Sequence, residues 1–80
     1  DVLYPNASRR LNETGTVVVS VLIDEQGLPR ELRVLQSSGC DRLDRAALAG
    51  VQAARFRPHT DHGRPVAVRA HIPFAFDLEN

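Results

Sequence analysis

Residues 65–78 read PVAVRAHIPFAFDL. Val66, Val68, Ala70, Ile72, Phe74, Phe76 and Leu78 alternate with Arg69, His71 and Asp77, the period-two pattern of a β-strand with one buried face. Burying an Ile or Phe contributes about 1.5–3 kcal/mol, so this segment anchors a core. Pro73 stands in the middle of it. A proline has no backbone donor and breaks the ladder of a central strand, so the segment is expected at the edge of its sheet.

The partner of that edge is read from TVVVSVLID, residues 16–24. Val17, Val19, Val21 and Ile23 share one face; Thr16, Val18, Ser20 and Leu22 share the other, which is also fairly apolar, as suits a strand lying between two others. DEQG, with Gly27 in the left-handed position, is a turn into a second strand, PRELRVLQS, that adds Leu32 and Val34 to the core face. Upstream, Pro5 suits the first turn of a short helix over NASRRLN, ended by Gly15. Downstream the period changes: Leu43, Ala46, Ala47, Gly50, Val51 and Ala54 form a small-residue helical stripe, with Asp41 expected as the N-cap, Asp44 in the first turn, and Arg55 and Arg57 at the far end. Pro58 is expected to end this helix, HTDHGR to be a polar loop, and the third strand to begin near Val66.

The element order is therefore α-β-β-α-β: an α+β domain, residues 1–80, with two helices packed on one face of a three-stranded antiparallel sheet. A right-handed crossover places the third strand beside the first, giving the sheet order second-first-third and leaving the Pro73 strand at an edge.

Eighty residues make one domain, and 42% hydrophobic with 25% charged residues is an ordinary globular composition. Ten basic residues balance ten acidic ones, which argues against nucleic acid as a partner. The single cysteine, Cys40, excludes an intramolecular disulfide. No apolar run approaches the ~20 residues of a membrane-spanning helix, and no signal peptide opens the sequence. Because it starts at Asp1, the chain is expected to be a fragment or processed form whose targeting elements lay upstream.

The candidate reactive groups each have a plainer reading. His59 and His62 with Asp61 have the makings of a metal cluster but lack a helical HExxH setting, and a solvated loop explains them. Cys40 precedes a helix start, where a thiol is easily ionised, yet has no histidine near it in sequence. Ser37 and Ser38 lack the GxSxG elbow, and the spacing of Asp41 and Asp44 is that of capping and dipole residues. No catalytic residue, metal or cofactor is expected, and the protein is not expected to be an enzyme. The remaining feature is the sheet edge, where a partner peptide adds as a further strand. If the missing donor of Pro73 faces outward, the backbone groups of Arg69, His71 and Ala75 face outward too, while Ile72 and Phe74 bond to the valine strand.

Tyr4-Pro5 with Ala7, Gly15 before the valine strand, the Asp24…Gly27 turn, Ser37-Ser38-Gly39, Leu43-Asp44 with Ala46-Ala47, Phe56-Arg57-Pro58, and Gly63…Pro65-Val66 leading to Pro73 and Phe76 together resemble the C-terminal domain of TonB family proteins, across essentially the whole chain. The resemblance implies a periplasmic domain of an inner-membrane-anchored protein in a Gram-negative bacterium. Such proteins work with ExbB and ExbD through upstream segments and couple the proton motive force to outer-membrane transporters, as in siderophore or iron uptake. It also implies that the transporter's TonB box adds to the third strand, at Val66, Ala67, Val68, Arg69, Ala70, His71, Ile72, Pro73, Phe74 and Ala75, with further contacts from Leu3, Tyr4 and Pro5. The chain departs from the family pattern at Asp1-Val2-Leu3, where Gln-Pro-Gln is usual, and at Ala54, where tryptophan is frequent. The alternative is a TolA-like envelope assembly domain that uses the same edge, or a homodimer formed through it.

Overall fold

The computed structural model describes residues 4–78. The chain runs α1 (Asn6–Arg10), β1 (Gly15–Ile23), β2 (Pro29–Gln36), α2 (Asp41–Ala53), β3 (His59–Asp61), β4 (Arg64–Val66) and β5 (Val68–Phe76). The main sheet has the order β2-β1-β5 with both pairs antiparallel, as the valine alternation and the crossover rule require. Val17, Val19 and Val21 are fully buried, and with Ile23 they meet Leu43, Ala47 and Val51 of α2 and Phe76 of β5. The small residues of α2 let it lie across β1 and β2.

The region between α2 and β5 differs from the expected loop. His59–Asp61 and Arg64–Val66 pair as a separate two-stranded ribbon, His59 opposite Val66, so the long strand begins at Val68 instead of near Val66. Nothing apolar alternates over residues 59–64, and most of the ribbon is exposed.

Both ends of α2 also differ from the sequence expectation. Asp41 is not the N-cap: Cys40 holds that position without a side-chain bond, and Asp41 is the first helical residue, paired with Arg45 at 2.7 Å. Asp44 instead reaches back over the preceding turn, accepting bonds from the Ser38 N–H at 2.9 Å and from the Ser37 and Ser38 hydroxyls. At the other end the helix stops at Ala53, so Arg55 and Arg57 lie beyond its last turn, although Arg55 Nη1 still donates to the carbonyl of the C-cap residue Ala54 at 2.8 Å. Pro58 bars helical backbone just before it, and the Phe56 N–H is taken by the Gly27 carbonyl at 2.9 Å, a tertiary bond that replaces a helical one.

That bond fixes the β1–β2 turn. Asp24, nearly buried, accepts from the Gln26 N–H at 2.9 Å and the Leu28 N–H at 2.8 Å through Oδ1, and from Arg30 Nε at 3.0 Å through Oδ2. Led by the Leu28 bond, these donors outweigh the burial that opposes ionisation and hold the Asp24 carboxyl below the usual aspartate range. Because the folded-state value is depressed, the contribution to stability is complete above the unfolded aspartate value of about 4 and is lost as pH falls through the folded one. Thermal melts are expected to be flat from pH 7 to 5 and to drop below about pH 4. In Asp24→Asn the neutral-pH melting temperature falls and this acid limb becomes shallower; an unchanged acid limb would show that Asp24 contributes nothing to it.

Candidate functional site

The main sheet has two edges, and they differ in kind. In β2, Val18 faces Gln36 but Val19 faces Val34, so Leu35 is an extra residue; a second extra residue falls at Glu31–Leu32, between the Ser20–Arg33 and Leu22–Arg30 pairs. Glu31 sits at φ +50°, the left-handed region that glycine adopts far more readily than glutamate. Two bulges twist an edge and spoil it as a template for another strand. The β5 edge has neither: nine consecutive pairs, from Gly15–Phe76 to Ile23–Val68, run along β1 without a break.

Pro73 lies within that unbroken ladder, opposite Val18. Its face is the outer one: Arg69, His71, Pro73 and Ala75 are all exposed, whereas Val68, Ala70, Ile72 and Phe74 face the core. These four remain only partly buried, while Val21, Val19 and Val17 opposite Ala70, Ile72 and Phe74 are sealed and Ile23 opposite Val68 is nearly so. Along β5 the inner face of the sheet therefore leaves an apolar strip unfinished. Val66 and Ala67 lie outside β5, Val66 within the ribbon.

On the outer face Arg69 spans the sheet. Its Nη1 donates to the Ser20 hydroxyl of β1 at 3.0 Å and its Nη2 to Glu31 Oε1 of β2 at 2.8 Å. An open hollow of about 440 Å³ lies beside this bridge, lined by Glu31, Leu32, Arg33 and Arg69. Sequence reasoning missed Ser20 and Glu31. Ser20 left one signal, a lone hydroxyl inside VVVSVLI; Glu31 left none, because no residue type there announces a bulge.

At the other end of β5, Tyr4 packs edge-on against Phe76, ring centroids 5.2 Å apart, under the Arg9 guanidinium at 5.0 Å. Its hydroxyl donates to the Glu13 carbonyl. The Glu13 side chain binds the hydroxyl of buried Ser8 at 2.8 Å and Arg42 of α2 at 3.1 Å, tying α1 to the body of the domain. Pro5 is the N-cap of α1; Leu3 lies outside the described residues.

The candidate reactive groups do not converge. His62 pairs with Asp61 at 2.9 Å on the exposed ribbon, and His59 is two residues before Asp61 on the same strand. Cys40 is half-buried against the core, and the Ser37 and Ser38 hydroxyls serve Asp44. Among the described residues no group of three or more His, Cys, Asp or Glu is placed to hold a metal ion, and no helix is long and apolar enough to cross a membrane.

Two helices on a three-stranded antiparallel sheet with one bulged and one regular edge define an α+β domain, and comparison with known proteins gives the family. Residues 1–78 match the model of the Gram-negative bacterial TonB protein C-terminal family. Protein TonB of Vibrio cholerae is 41% identical over 76 residues, and that of Pasteurella multocida 32% identical over 77; the matches cover 95% and 96% of this chain but only 31% and 29% of those relatives. The solution structure of the Helicobacter pylori TonB C-terminal domain (residues 179–285) superposes with a TM-score of 0.77 at 28% identity, covering 99% of this chain and 71% of that one. The chain belongs to the Gram-negative bacterial TonB C-terminal family and spans less than a third of the length of these two TonB relatives from Vibrio and Pasteurella.

Proposed function

We propose that the chain is the periplasmic binding module of an energy transducer that couples the inner-membrane proton motive force to outer-membrane transporters, and that it grips the transporter's TonB box as a strand added to β5. The observation that carries this reading is the β5 edge: nine residues in regular register on one side, no bulge, and no neighbour on the other side among the described residues. Backbone bonds at the edge supply affinity, and the half-covered strip of Val68, Ala70, Ile72 and Phe74 accepts the inward side chains of the added strand. The role of Pro73 follows from the ladder. A proline keeps its place opposite Val18 at least cost where the pair exchanges no bonds, so its nitrogen points to the open side along with the backbone groups of Arg69, His71 and Ala75.

Tyr4 and Pro5 lie at the Phe76 end of the same strand, and with Leu3 they are the proposed second contact. ExbB and ExbD, the membrane anchor, and service to siderophore or iron transporters belong to the full-length protein in this reading. The same regular edge suits a second copy of the chain, which gives the alternative of a dimerising, TolA-like assembly domain.

Titrating the isotope-labelled domain with synthetic TonB-box peptides tests the proposal. Amide shifts are expected along residues 68–76, with modest affinity because the peptide loses chain entropy on becoming a strand. No shift with any transporter's box would sink it, and a tight dimer in sedimentation that buries the β5 edge favours the alternative.

A further inference from the structure

We infer that Arg69 selects the charge of the strand that adds to β5, and that Glu31 is a built-in carboxylate competing for the same guanidinium; this rests on the strand-addition reading. Glu31 holds a left-handed backbone conformation at φ +50° within a bulge. Such a conformation is costly for a glutamate and persists where its surroundings or a task require it. The bulge brings its carboxylate to Arg69, two strands away, at 2.8 Å.

The pair is built to exchange. Both side chains are exposed, 40% for Arg69 and 67% for Glu31, so solvent screens their attraction and leaves it weak. Arg69 starts from β5, and a strand on the open side of β5 lies about 4.8 Å from it, against roughly twice that for β2. An outward-facing Asp or Glu on the added strand is therefore the nearer carboxylate. Charge complementarity points the same way. Arg33 and His71 flank Ser20 in register on this outer face, beside Arg69, and Glu31 is the carboxylate that balances them. The occupant is an amphipathic strand with apolar residues over Val68 to Phe74 and an acidic residue on the outer face beside Arg69.

Two synthetic octapeptides test this, each with Val at alternate positions and Thr between, differing only in a central outward Asp or Asn. Affinities are read by amide shifts along 68–76. The Asp peptide is expected to bind about two- to fivefold more tightly than the Asn peptide, the size of an opposite-charge cross-strand pair, with the ratio shrinking in high salt. Glu31→Gln raises that ratio by releasing Arg69, and Arg69→Gln brings it to one. Equal binding of the two peptides to the wild type and to Glu31→Gln would overturn the inference and leave strand addition standing. A preference that survives Arg69→Gln would also overturn it. Binding of neither peptide would remove both readings together.

Discussion

Gly27→Ala is expected to cost about 3–5 kcal/mol, enough to unfold much of the population of a domain this small. Two effects add. Gly27 sits at φ +81°, where a side chain costs about 1–3 kcal/mol, and a methyl group there meets the Phe56 carbonyl oxygen at 2.0 Å and its carbon at 3.0 Å. Those are backbone atoms, held by the bond from the Phe56 N–H to the Gly27 carbonyl, so no side-chain rotation relieves the clash. Gly63 is the control: it has nearly the same φ, +80°, and nothing within 4 Å of an added methyl. Gly63→Ala therefore bears the conformational cost alone. Denaturant unfolding of the two variants separates the terms, and equal destabilisation would show that the contact with Phe56 contributes nothing.

A pair of prolines gives the second large effect. If Pro73 marks the outward-facing positions, His71→Pro removes a donor from the open edge and none from the β1 ladder. That variant is expected to keep its fold and lose peptide binding by more than tenfold. Ile72→Pro, one residue on, takes a donor from the bond pair with Val19 in the middle of the ladder, and should cost roughly 3 kcal/mol or more. Circular dichroism and the peptide titration read both. The reverse outcome, with Ile72→Pro folded and His71→Pro unfolded, would invert the register and turn the bonding groups of Ile72 and Phe74 outward.

The sequence carried the sheet order because apolar residues at period two in both long strands and a proline in one of them admit few arrangements. Val17, Val19 and Val21 could hardly face anything but a core, and Pro73 could hardly be central. Features set by distant contacts were not legible. The early stop of α2 depends on Gly27 reaching Phe56 across 29 positions, and neither residue advertises the other. The ribbon over residues 59–66 escaped because its residues are mostly polar and exposed, so no buried face imposes a period on them. Asp41 was a plausible cap by type, but Ser37 and Ser38 already occupy the turn before the helix and take Asp44 as their acceptor. At the candidate site, the regular edge was visible along the chain. The Arg69 bridge was not, because it joins residues 38 and 49 positions apart through a bulge that no glycine or proline marks.

The Tyr4–Phe76 contact also sets a mechanical layout. If a partner strand is held at β5 as proposed, a pull on the chain at residue 4 passes through α1 into β1 at Gly15 and across the β1–β5 ladder, with the Tyr4–Phe76 contact as a second link to that same end of β5. The β1–β2 turn, β2, α2 and the ribbon lie off that line. Thermal stability and resistance to force therefore overlap only in part: changes at Gly27 or Asp24 are expected to act on melting alone, whereas changes at Phe76 or the ladder act both on melting and on the tension such a pull would need to part the strands.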